Sequence, residues 1–291
     1  MHNQNNGRFG QSVLSMALTN FDSWLHSPRT IMMLIFLLTA GFIQTCELKN
    51  YLNELGFTIH FGEMLFCEFN TGCDMAMTTI IFLIVVSEMP RRIAFQEYAL
   101  IRSSRTRWII AQFIYCLMMV VTMLVLLFVA VSVTSLPITT PGTGWSDLER
   151  IAAGVIDPDY GLTLVPKYIL NQFNPLSALF IAMIPMFCFW MTMILMILLF
   201  GVWGSALVGV MFYAFLVFIH LTVFWDWFSE RLKFPFHYST LNSLTSGYYG
   251  MEIEILIKSV GIYALLMIGL MLAAIVSVKR ADLAFDSDSN M

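Results

Sequence analysis

The stretch Glu88-Met-Pro-Arg-Arg-Ile-Ala-Phe-Gln-Glu-Tyr-Ala-Leu-Ile-Arg-Ser-Ser-Arg-Thr-Arg-Trp108 decides how the chain is read. It lies between two apolar runs and holds Arg91, Arg92, Arg102, Arg105 and Arg107, five of the 15 basic residues. So many cations are excluded from hydrocarbon, so the stretch reads as a cytoplasmic loop that orients the runs on either side. Pro90 suits the first turn of a helix. Beyond it, Ile93, Tyr98, Leu100 and Ile101 alternate with Arg92, Gln96, Glu97 and Arg102, which predicts a short amphipathic helix before Ser103-Ser104.

Working outward, the composition is that of a membrane protein. The chain is 58% hydrophobic and 12% charged, with 25 Phe and 21 Met and a mean hydropathy of +0.77. Soluble domains carry about 25% charged residues. The net charge of −4 arises from signs that are segregated along the chain. No extended basic face with interleaved aromatics supports nucleic-acid binding. The N-terminal residues are polar and nearly uncharged, and no small-residue cleavage site follows a short apolar core, so a signal peptide is not expected.

Six membrane spans are expected. The first is centred on residues 30–45, bounded by Arg29 and Glu47, with a loop over 48–62. The second ends at Ser87; its apolar run, residues 75–87, is too short for ~30 Å of hydrocarbon. Either the helix starts near residues 64–69, placing Glu68, Asn70 and Asp74 in the outer leaflet, or it starts at Asp74 and the bilayer thins. The third span covers 108–136 and is stopped by Pro137 and Pro141. A loop over 138–171 follows, with a short surface helix near 144–154. The fourth is 175–200, with Pro185 expected to kink it, the fifth 206–224 and the sixth about 255–278, closed by Lys279 and Arg280.

Before the first span, residues 9–26 have an apolar and a polar half at helical spacing, Asn20 being the polar exception. That pattern predicts an amphipathic helix lying in the cytoplasmic interface. With six spans, Arg8, Arg29, the arginine loop and Lys279-Arg280 share one side, which puts both termini in the cytoplasm. The uncharged turn 201–205 is the point on which this depends: one broken helix there would turn the C-terminal pair outward.

No Walker A, H-E-x-x-H or G-x-S-x-G pattern occurs, so the chain is not expected to be an enzyme. His60, His220 and His237 stand without partners at metal-ligand spacing, and the methionines of 183–196 read as packing. No metal or cofactor is expected in the chain. Cys116 and Cys188 read as small buried hydrophobes, and spacing leaves a disulfide among Cys46, Cys67 and Cys73 open.

Several pieces, in order, carry a resemblance. They are Glu88-Met-Pro, then Gln96-Glu-Tyr-Ala-Leu-Ile-Arg, a small and basic turn, and Trp108-Ile-Ile-Ala-Gln112-Phe-Ile-Tyr115. Phe69-Asn70, Leu136-Pro137 with Gly144-Trp145, and Phe173-Asn174-Pro175-Leu176 add to them. The series resembles the type-2 ATP-binding cassette (ABC) permease subunits of Gram-positive bacteria, with Ser103-Ser104 standing where a glycine-containing turn is common. The resemblance implies a single permease domain over 9–280, with a disordered start at 1–8 and a cytoplasmic tail at 281–291. Residues 9–27 would be its connecting helix and 88–107 its coupling loop in the plasma membrane. Arg91, Arg92, Gln96, Glu97, Tyr98, Arg102 and Arg105 would contact a separate ABC ATPase subunit, which brings ATP and Mg. A second permease subunit, identical or related, would pair with the first. Glu68, Asn70 and Asp74 are candidates for the lining of a translocation path. An exporter of an amphipathic peptide or lipid-like substrate is the function expected. The competing expectation is a scaffold, sensor or immunity protein that keeps the fold without transport.

Overall fold

The computed structural model describes residues 5–70, 72–87, 89, 105–147, 165, 167–221 and 253–280. Among these the chain is almost entirely helical. The helices are α1 (Asn5–Leu25), α2 (Pro28–Leu55), α3 (Phe61–Asn70), α4 (Gly72–Val86), α5 (Arg105–Ser135), α6 (Lys167–Gln172), α7 (Pro175–Val202), α8 (Ala206–Leu221) and α9 (Ile253–Arg280). Two short strands, β1 (Ile59–His60) and β2 (Thr139–Thr140), pair in parallel with Ile59 opposite Thr139 and His60 opposite Thr140. Four stretches, Pro28–Asn50, Arg105–Ser135, Pro175–Val202 and Leu256–Val278, are long and apolar enough to cross a membrane. Met77–Val86 and Ala206–Val217 are shorter apolar helices.

α1 lies where the amphipathic pattern predicts a helix, but its wheel has three sectors. Val13, Ala17, Asn20 and Trp24 are buried, and α1 packs on α5. Leu14, Leu18 and Leu25 form an exposed apolar strip beside them, and Ser15, Thr19 and Asp22 are exposed on the remaining arc. Asn20, the polar exception in the pattern, belongs to the sector that meets the protein.

The boundary of α2 corrects the expected loop over 48–62. Ser27 caps the N-terminus, accepting from the Thr30 amide, and Pro28 occupies the first turn. The helix then runs ten residues past Thr45 and stops at Gly56, whose φ of 70° supplies the left-handed cap. Polar residues there ended the apolar run without ending the helix. For the second span, helix is described over Phe61–Asn70 and over Gly72–Val86, with Thr71 outside the described residues. α6 also falls within the expected loop.

α7 is the centre of the bundle, packing on α9, α8, α3, α5 and α4. Trp190 is fully buried on it; its indole donates to Thr79 Oγ1 on α4 at 3.0 Å, and its ring lies 5.4 Å from that of Phe82. Phe189 meets Tyr213 of α8 and Tyr263 of α9 edge-on. Met186, Met191 and Met193 are buried in the same packing, as expected of gap-filling thioethers. Pro185 sits inside a helix that runs on through Val202.

The chain reverses after α7. Gly204 takes a φ of 115° in the turn to α8, and a Cβ on Gly209 would stand 3.0 Å from the Ile197 Cα. α7 and α8 are therefore a close-packed hairpin, and the broken-helix alternative fails.

Candidate functional site

Of the residues expected to act, Arg105 is the one whose side chain is among those described. Three bonds tie helix ends together near the flanks of the arginine loop and the α7–α8 turn. Arg29 Nη1 donates to Ser87 Oγ at 3.0 Å, joining the start of α2 to the end of α4. Arg105 Nη1 donates to the Val278 carbonyl at 3.3 Å, joining the start of α5 to the end of α9, and the Trp203 indole of the α7–α8 turn donates to Ser277 Oγ of α9 at 2.8 Å. Arg105 is thus placed, exposed, at the first residue of α5. Arg91, Arg92, Gln96, Glu97, Tyr98 and Arg102 lie outside the described residues.

Trp108, Gln112 and Tyr115, spaced for one helix face, are all buried. The Trp108 indole nitrogen and both Gln112 amide atoms have no hydrogen-bond partner among the described residues. Glu68 and Asn70 belong to α3 and Asp74 to α4, and their side chains lie outside the described residues. Cys46 is a free, exposed thiol, which removes it from the candidate disulfide. Among the described residues no group of His, Cys, Asp or Glu could hold a metal ion.

The densest polar site surrounds the start of α3, and the sequence reading passed over its central residue. Glu63 is fully buried in the first turn of α3. Its Oε2 accepts the His60 amide at 3.0 Å, and its Oε1 accepts the amide of Ser146, which is 83 residues away. His60 Nδ1 donates to the Gly144 carbonyl at 2.7 Å and stands 3.7 Å from Glu63 Oε1. Thr140 Oγ1 donates to the Ile59 carbonyl at 3.3 Å, beside the β1–β2 pair. The Trp145 indole donates to the Phe173 carbonyl at 2.6 Å, and its ring meets Phe66 edge-on at 5.5 Å.

Local sequence explains how this knot forms. A Glu three residues after His60 can reach back to that residue's amide at a helix start, which is half of a capping box. The apolar run Met64-Leu65-Phe66 then buries α3. Glycines let the partner segment approach: a Cβ on Gly142 would fall 2.4 Å from His60 Cδ2, and one on Gly62 would fall 3.1 Å from Pro175 Cβ. A cavity of about 430 Å³ opens beside the knot, between the starts of α3 and α7 and the segment carrying β2.

No family model matches the chain, and neither a curated protein nor a solved structure matches it.

Proposed function

We propose that this chain is the membrane-spanning permease subunit of an ABC exporter, driven by separate ATPase subunits. Its six spans are α2, α3 with α4, α5, α7, α8 and α9, and α1 lies along the inner interface of a bacterial plasma membrane. The bonds of Arg29 to Ser87 after α4, and of Arg105 to the end of α9, carry this reading, because they hold the two helix ends between which the arginine loop runs. The positive-inside rule makes the side that bears this loop the cytoplasmic one. Exposed apolar side chains on the outer helices, such as Ile35, Val125, Phe215 and Leu265, support a lipid surround. The resemblance of residues 88–115 to type-2 ABC permeases supports the rest.

In this reading residues 91–103 form the coupling helix. ATP-driven closure of the ATPase pair pushes that helix, tilts α4 and α5, and opens a path between two permease subunits toward the outside. The ligand favours one of two arrangements only by its differential affinity for them, and here the ligand is the nucleotide bound in the partner. The substrate is an amphipathic peptide or a lipid-like molecule.

Co-purification from membranes tests the proposal. A complex with an ATPase subunit is expected, and Glu97→Ala or Arg102→Ala should lower its ATP turnover. A stable homo-oligomer free of any ATPase, as the sole isolable form, would sink the transport reading in favour of a scaffold or sensor.

A further inference from the structure

One segment both roofs the cavity and is held by the knot. Residues 139–147 leave α5, pair with β1, and pass over the groove between Phe61 of α3 and Leu176 of α7. Pro141, Gly142 and Thr143, at the middle of this segment, are exposed. Beyond them Trp145 is buried against Phe66, and the polar hold comes from β1 and the start of α3: His60 grips Gly144 and Glu63 grips Ser146. Trp145 adds an anchor to the end of α6 through the Phe173 carbonyl.

We propose that residues 139–147 are a strap that opens and closes this groove, with Glu63 as its latch. A strap fixed by apolar burial alone would lose stabilisation in proportion to the area it exposed. The Glu63 hold differs, because a buried carboxyl trades its hydration for two amide hydrogen bonds. The two terms oppose each other, and the net hold is their small difference. Lifting the strap returns water to Glu63 and to the Ser146 amide together, which offsets part of the bond that is lost. What the opening serves rests on the permease reading, in which the groove lies at the outer mouth of the path.

Hydrogen–deuterium exchange on the full-length protein in lipid nanodiscs tests the latch. Glu63→Gln puts an amide N–H against an N–H donor and leaves one donor unpaired. Exchange over 139–147 should then rise about tenfold while α7 stays protected. Gly142→Ala, whose methyl meets the His60 ring, should raise exchange over the same residues from the other side of the contact. Unchanged exchange over 139–147 in both variants would overturn the proposal, and so would an equal rise across α7, which marks general loosening. A responsive strap in a protein that binds no ATPase keeps the latch and removes the permease. An ATPase partner with an unresponsive strap removes the latch alone.

Discussion

α7 and α9 have the same length, 28 residues each, and their candidate spans are almost equally apolar, yet they are buried to very different extents. Of the candidate span in α7, 72% is buried within the protein; of that in α9, 17% is. Hydropathy measures transfer out of water and does not distinguish lipid from protein interior as the destination. What separates the two helices is the shape and polarity of their side chains. α7 carries Trp190, Phe189, Thr192 and a run of methionines that fill the space between five neighbours. α9 turns Ile257, Leu265, Ile268 and Leu272 outward and keeps Tyr263 and Ser259 for its inner face.

The contrast is broken most severely at its centre. Trp190→Ala removes a fully buried indole, its Phe82 contact and its bond to Thr79, and should cost about 3–5 kcal/mol. Thermal unfolding in detergent micelles would register it as a large fall in midpoint. Thr79→Val keeps the volume but takes the acceptor from the Trp190 indole, so a loss of about 1–3 kcal/mol is expected in the same assay.

The smallest effect belongs to α9: Leu265→Ala, at a side chain 72% exposed, should stay within about 0.5 kcal/mol. A loss as large as that of Trp190→Ala would mean that another protein surface covers α9.

Much of the helical plan was legible in the sequence because each device is local. Pro137 ends α5, Pro175 starts α7, and Gly204 turns the chain into α8, each by a backbone preference that acts within a few residues. The end of α2 was harder to read, since residues 48–55 are helical but mixed in polarity. Gly56 was the sign to weigh there, more than the loss of hydropathy. At the Glu63 knot, the spacing from His60 to Glu63 was visible. The partners on the other side are backbone groups of Gly144 and Ser146, which carry no side-chain signature at all. The expected site residues of the arginine loop are a different matter, since only Arg105 falls among the described residues.

The pairing of β1 with β2 also sets an order in time. It joins segments 80 positions apart, and α3, α4 and α5 lie between them. The ends of so long an intervening stretch meet only once its helices have been placed, and loop closure at this distance rewards the chain late. Formation of the His60–Gly144 and Glu63–Ser146 contacts therefore reports that the first half of the protein has been threaded correctly. A chain stalled earlier would leave the backbone of Ile59 and Thr139 unpaired.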